Sequence, residues 1–419
     1  QSCIDYAKEQ NITIRKNRIT ATSTQIDVKT AKAALFPSLS FSTSQQVVNR
    51  PYQETSSRVS GSEIISSNSK TSYNGNYGLN ASWTLYNGNK RLKTIQQEKL
   101  NNQVAELDVA TSENNIQESI AQVYIQILYA AESVKVNEST LQVSIAQRDR
   151  GQELLNAGSI AKSDFAQLEA QVSTDRYQLV TAQATLEDYK LQLKQLLELD
   201  GENEMNIYLP ALSDENVLAP LPTKKDVYIS ALSLRPEIEA SKLNVEASEL
   251  GIGIAKSSYL PTISLSAGIG TNHTSGSDFT FGEQVKNGWN NSIGLSVSVP
   301  IFNNRQTKSA VQKAKLQYET SMLSLLDEQK TLYKTIEGLW LDANSAQQRY
   351  AAANEKLKST QISYELISEQ FNLGMKNTIE LLTEKNNLLQ AQQEQLQAKY
   401  MAILNTQLLK FYQGDQLAL

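Results

Sequence analysis

The chain is poor in the residues on which most site chemistry depends. Its 419 residues include one cysteine, Cys3, and one histidine, His273. A single cysteine forms no internal disulfide, and the two together cannot supply a zinc site or make a Ser-His-Asp triad credible. His273 sits among Thr, Ser, Gly and Asn, which reads as a surface loop rather than a ligand. Cys3 reads as a packed residue. A lipid-anchored cysteine would have to open the mature chain, and two residues precede this one. The expectation is a protein that is not an enzyme and holds neither metal nor cofactor. No run of about 18 apolar residues occurs, so no transmembrane helix is expected, although a β-barrel would escape that test. No charged-then-apolar leader opens the chain, so any signal peptide is read as already removed. The net charge of −5 argues against a general nucleic-acid binder. Proline, at 8 residues, is scarce enough to leave room for long helices.

What is present is a duplication. Gly78-Leu79-Asn80-Ala81-Ser82-Trp83-Thr84-Leu85-Tyr86-Asn87 has a second version in Gly294-Leu295-Ser296-Val297-Ser298-Val299-Pro300-Ile301-Phe302-Asn303, 216 positions later. A fixed displacement of about half the chain means one structural unit written twice. The stretch also alternates: Tyr77, Leu79, Ala81, Trp83 and Leu85 fall on one face, and Gly78, Asn80, Ser82 and Thr84 on the other. In the second version Ile293, Leu295, Val297, Val299 and Ile301 oppose Ser292, Gly294, Ser296 and Ser298. A period of two is a strand with one apolar and one polar face.

Around these strands the pattern runs helix, strand, strand, long helix, turn, helix, and then restarts. The halves are 1–210 and 211–419, with strands expected at about 38–48, 76–86, 262–270 and 291–301. Residues 4–34 read as a helix that stops before Pro37, and 223–258 as one that stops before Pro261. Residues 49–74 and 271–290 read as polar loops, and 200–222 as an irregular segment. From about Gly88 to Leu155 apolar residues recur at heptad-like spacing, among them Ile116, Ile120, Val123, Ile127 and Leu141. The stretch 160–199 carries Leu168, Val172, Asp175 and Leu179 at spacings of three and four. A third stripe runs from about Arg305 to Phe371, and a last helix ends near Tyr412. Such sustained spacing means coiled-coil packing. At ~1.5 Å per residue a helix of about 68 residues is about 100 Å long, too long for a globular domain.

Four strands cannot close a barrel, and an open sheet with one apolar face leaves free edges. Closure by several copies is the economical answer, and the residue pattern alone does not set their number. Alternation then turns Leu79, Trp83, Leu295 and Val299 toward lipid and the Ser, Asn and Thr positions toward a wet lumen. Two competing readings are a soluble β-sandwich and a structural coiled-coil surface protein with a strand-built head.

These features together resemble the TolC family of outer-membrane efflux proteins. The resemblance rests on doubled motifs. Ala34-Leu35-Phe36-Pro37-Ser38-Leu39 is echoed by Ser258-Tyr259-Leu260-Pro261-Thr262-Ile263, and Trp83-Thr84-Leu85-Tyr86-Asn87-Gly88 by Val299-Pro300-Ile301-Phe302-Asn303-Asn304. The turns Asn156-Ala157-Gly158-Ser159-Ile160 and Asn372-Leu373-Gly374-Met375-Lys376 form the third pair. The resemblance implies a mixed α+β membrane protein: a long α-helical coiled-coil barrel joined to a transmembrane β-barrel. It implies a homotrimer with four strands per protomer, so twelve in the barrel, seated in the outer membrane of a Gram-negative bacterium with its helices in the periplasm. It further implies an outer-membrane channel of a tripartite efflux system, partnered by a periplasmic adaptor and an inner-membrane pump. A type I protein-secretion duct is the neighbouring reading, because drugs, metal ions and polypeptides all use this architecture. The scarcity of Met and His counts against soft-metal cargo.

By the same resemblance the adaptor docks on the turns, here Ala157, Gly158, Ser159, Leu373, Gly374 and Met375. Exposed Leu373 and Met375 would supply an apolar contact that a bare turn does not need. Family members narrow the periplasmic mouth with acidic residues after the turns. The matching positions are Asp164 and Glu380, with Thr383 and its neighbour Glu384 at a further acidic position. Lys376 matches the family's basic lock residue. Phe371 matches its tyrosine without the hydroxyl, which leaves hydrophobic contact in place of a hydrogen bond. Three copies of such acids around a narrow lumen would favour cations. The plainer reading is that both acids stabilise helix starts through the backbone dipole.

Overall fold

The computed structural model describes residues 2–52, 56–60, 63–67, 70–200, 207–208 and 217–417. The chain forms two compact units, each drawn from both halves of the sequence. A strand-bearing unit comprises Thr22–Val104 and Lys242–Leu323, and a helical unit comprises Gln1–Ala21, Ala105–Ser241 and Ser324–Leu419.

In order, the first half contains α1 (Ser2–Gln10), α2 (Ile12–Ala33), β1 (Ser38–Asn49), β2 (Ser56–Ser60), β3 (Glu63–Ser67), β4 (Thr71–Asn87), α3 (Lys90–Asn156) and α4 (Lys162–Leu196). The second half contains α5 (Lys224–Leu234), α6 (Pro236–Ser257), β5 (Thr262–Thr274), α7 (Phe281–Asn287), β6 (Asn290–Ser298), α8 (Gln306–Asn372) and α9 (Thr378–Gln413). The two long helices, α3 and α8, are each 67 residues.

Two expected helices are each broken into two. Asn11 interrupts the first: its side-chain oxygen accepts from the Thr13 and Ile14 amides while its Nδ2 donates to Leu196 O at 3.1 Å. The polar side chain thus starts α2 as a cap would. In the second half Pro236 forces Arg235 into extended backbone (ψ 123°) and opens α6. Buried Arg235 reaches Glu237 at 2.7 Å and Glu118 at 3.2 Å, with its guanidinium 4.3 Å from the Tyr412 ring centroid. Burial pushes the Tyr412 phenol up to about 12.

The strand-bearing unit holds an antiparallel sheet in the order β1-β4-β5-β6. Phe41 pairs with Leu79, Leu79 with Ile269, and Leu265 with both Trp83 and Leu295. Apolar residues therefore stack across all four strands on one face, yet they are exposed: Phe41 at 68% and Leu295 at 64%. On the other face Asn80 donates to Ser42 and Asn76 to Ser44. Trp83 Nε1 donates to Leu35 O at 2.7 Å and Arg91 to Ala34 O at 2.7 Å, which ties the end of β4 to the end of α2.

Several local expectations change. A bulge falls between Thr84 and Tyr86, so Leu85 is left without a pairing partner and Tyr86 stands opposite Ile263. β6 stops at Ser298, so Val299 and Ile301 lie beyond it; Pro300 lacks the N–H that a ladder needs. The polar stretch 49–74 contains the β2–β3 hairpin, with 53–55, 61–62 and 68–69 outside the described residues. His273 is in β5, opposite Gly75, stacked on Tyr77 with centroids 5.8 Å apart and edge-on to Phe281 of α7. Of 200–222, residues 201–206 and 209–216 lie outside the described residues; Gln347 of α8 donates to Val217 O and Ala219 O.

The packed core belongs to the helical unit. The stripes meet there: Ile120 and Ile127 with Leu193, Ile125 and Leu128 with Tyr400 and Leu404, and Ile336 with Leu409. Cys3 packs beside the first of these groups.

Candidate functional site

The helical unit carries two turns, one between α3 and α4 and one between α8 and α9. Each begins as a helix end whose last carbonyls need donors. In the first, Ser159 N donates to Leu154 O and Gly158 N to Leu155 O; in the second, Met375 N donates to Gln370 O and Gly374 N to Phe371 O. This is a Schellman closure, and it needs a left-handed residue after the helix. Gly158 and Gly374 supply it at φ +71° and +75°. A Cβ at either position would meet nothing within 4 Å, so the requirement is the dihedral and not space. Ala157 and Ser159 are exposed, as are Leu373 (69%) and Met375 (71%). Ile379, one residue into α9, is also exposed.

The acidic positions differ in what holds them. Asp164, the third residue of α4, accepts from the Ala161 amide at 3.3 Å, and Ala161 offers no side-chain cap in return. Glu380, the third residue of α9, forms a full capping box: its amide donates to Asn377 Oδ1 at 2.9 Å and its carboxylate accepts from Asn377 N at 3.2 Å. Lys376 Nζ adds a third bond to Glu380 at 2.6 Å. The lysine hydrogen bond, with the Asn377 amide behind it, holds the Glu380 carboxyl below its ordinary range. Among the described residues Lys376, in the turn just before the Asn377 cap, engages Glu380 of α9 and makes no link to Asp164. Thr383 donates to Ile379 O within α9. Glu384 accepts from Ser363 Oγ of α8 at 2.9 Å and from Asn387 at 3.3 Å. Phe371 is buried beneath the second turn.

Four residues that sequence reasoning did not single out as a site meet nearby in the fold. Lys385 of α9, Asp175 and Gln171 of α4, and Ser144 of α3 form one buried polar cluster. Burial pushes the Lys385 ammonium below the usual lysine range, and the bond to Asp175 opposes the shift. The signal was present in the pattern: Asp175 occupies a stripe position between Val172 and Leu179, and Lys385 stands between Leu381 and Leu388. A charge at a core position asks for a partner.

No group of three or more metal-ligating side chains occurs among the described residues. No described helix is long and apolar enough to cross a membrane.

Comparison with known proteins adds three findings. The family model described as "Outer membrane efflux protein" matches residues 3–198 and 227–414. Among curated proteins, the outer membrane efflux protein BepC of Brucella suis biovar 1 is 24% identical over 294 residues, covering 70% of this chain and 61% of BepC. The outer membrane protein TolC of Escherichia coli K12 is 23% identical over 311 residues, covering 72% and 62%. The chain thus spans about three fifths of the length of these relatives. Among solved structures, CusC superposes with a TM-score of 0.83 at 19% identity, covering 99% of this chain and 92% of CusC. The Campylobacter jejuni CmeC outer membrane channel superposes at 0.80 and 18% identity, covering 100% and 86%. These likenesses establish the fold: long helices joined to a four-stranded sheet.

Proposed function

Because the chain belongs to the outer membrane efflux protein family, we propose that it is the outer-membrane channel of a tripartite export system. One observation carries the reading. Among the described residues the sheet leaves apolar side chains such as Leu39, Phe41, Ile293 and Leu295 exposed on one face, and its outer strands, β1 and β6, each have an unpaired edge. An exposed apolar face beside open edges is a liability in water and a barrel wall in lipid. Exposed Phe36, Tyr259 and Phe302 stand at the helix-side end of the strands, and Tyr73 and Trp289 at the far end. That arrangement matches the aromatic girdles that flank a lipid-facing band of ~25 Å.

Three copies joined edge to edge make a twelve-stranded barrel, with Ser, Asn and Thr facing a wet lumen. The helices continue the bore through the periplasm. The two turns dock a periplasmic adaptor, with Leu373, Met375 and Ile379 as its apolar contact, and the adaptor links the channel to an inner-membrane pump. Asp164 and Glu380 narrow the mouth, with Thr383 and Glu384 behind them. The channel itself breaks no bond; the pump supplies the energy.

Purified protein should need detergent, sediment as a trimer and conduct ions in planar bilayers. Glu380→Gln should weaken both cation preference and block by multivalent cations, with the fold kept by the remaining Asn377 cap. A single-chain protein that stays dispersed in plain buffer and fails to conduct overturns the proposal. Unchanged selectivity in a conducting Glu380→Gln channel removes Glu380 from the constriction.

A further inference from the structure

Two opposite charges stand at buried positions where the packing stripes ask for apolar side chains. Asp175 on α4 is 1% exposed and Lys385 on α9 is 3% exposed. Lys385 Nζ donates to Asp175 Oδ2 and to Ser144 Oγ of α3, and Ser144 Oγ donates to the same carboxylate oxygen. Gln171 Nε2 donates to the other oxygen, Oδ1, at 2.9 Å, and to Asn386 Oδ1 of α9 at 3.4 Å. The network draws on three helices and on both halves of the duplicated unit.

Such a pair is weak evidence for net stability, because apolar side chains of similar volume often pack as well or better. Its best-attested use is to specify register: ridges of leucine and alanine tolerate a slip that a point-to-point ionic contact does not. The duplication sharpens this. At the 216-residue displacement the counterpart of Asp175 is Ala391, which is fully buried, and that of Lys385 is Glu169, which is exposed. In the repeat the aspartate's place is taken by a buried alanine and the lysine's by a glutamate that stays in water. The pair was therefore not demanded by the helix geometry, and it ties α9 to the α3–α4 hairpin in one copy only.

We propose that Asp175 and Lys385 are positioning residues for the second turn. Their contact pins α9 at one axial level against α3 and α4. It thereby sets the level of Glu380, five residues earlier on the same helix and about 7.5 Å along its axis. With the pin removed, α9 slips and the mouth widens. This last step rests on the reading of Glu380 as a constriction residue.

The test uses the full-length assembled channel carrying Asp175→Leu together with Lys385→Met, which replaces the pair by apolar side chains of similar size. Amide hydrogen exchange in 378–392 should become about tenfold faster while exchange in β4 and β5 stays at the parent's rate. Mean single-channel conductance should rise. Exchange in α9 at the parent's rate overturns the pin. Faster exchange with unchanged conductance supports the pin and rejects Glu380 as the constriction, so the two failures are distinct. If the double variant does not assemble, Ser144→Ala keeps both charges and deletes one link. It should speed α9 exchange about threefold, and exchange at the parent's rate in that variant overturns the proposal.

Discussion

Gly158 and Gly374 close their helices through the same two backbone bonds and nearly the same φ, 216 positions apart, yet the side chains around them diverge. Where the first turn has Leu155, Ala157, Ser159, Ile160 and Ala161, the second has Phe371, Leu373, Met375, Lys376 and Asn377. The first is a bare reversal. The second adds a buried ring below, two exposed apolar side chains at the apex, and a capping box with a lysine across it. The shared part is what any abrupt helix stop requires, since the orphan carbonyls must be met and only a left-handed residue lets them be met. The divergent part is what a reversal does not require, so that is where function should be sought. The buried Asp175–Lys385 pair fits the pattern, because it too anchors α9 and has no equivalent in the other copy.

The comparison is most open to attack at the buried ring. Phe371→Ala should cost about 3–5 kcal/mol, and Leu155→Ala, at a half-buried site, about half as much. Denaturant unfolding followed by helical circular dichroism measures both, and equal losses would mean that the two turns are packed alike. A smaller effect separates the caps. Asn377→Ala should cost about 1 kcal/mol, whereas Ala161→Asn should stabilise by about 0.5–1 kcal/mol because α4 lacks a side-chain cap. If Asn377→Ala is neutral, the box at α9 is geometry without consequence. The gentlest probe is acid. The Glu380 carboxyl titrates below its ordinary value of 4.5 in the folded chain. Its contribution is therefore present above about pH 4.5 and lost as pH falls through the lower folded value. Exchange of the 377–380 amides, corrected for intrinsic rates, should rise over that window. A profile that stays flat as pH falls through the acid range below 4.5 would show that the box does not hold the turn.

The acidic positions after the turns came from the family resemblance, which said nothing of their bonds. The resemblance marked Lys376 as a lock residue, and the fold shows it bonded to Glu380, four residues on in the first turn of α9. A four-residue spacing permits that contact, and nothing in the local sequence ranks it against a contact from another helix. Asp175 could be seen as out of place, but its partner lies 210 positions away, beyond the reach of any periodicity. The missed helix break at Arg235 is different in kind. Pro236 announced it, and the apolar pattern running through it hid it. The bulge at Leu85 had no local signal, because alternation continues unbroken through a residue that the partner strand skips.

The sequence by itself determined the duplication, the two 67-residue helices, the four long strands and the two glycine turns. Each of these follows from a period or a dihedral requirement that a few neighbouring residues satisfy together. Tertiary structure alone decided where β4 bulges, which carboxylate Lys376 serves, and that Asp175 and Lys385 meet. Those outcomes depend on groups brought together from distant parts of the chain, and burial gives such a meeting its force, since a charge removed from water must find its partner wherever the fold has put it.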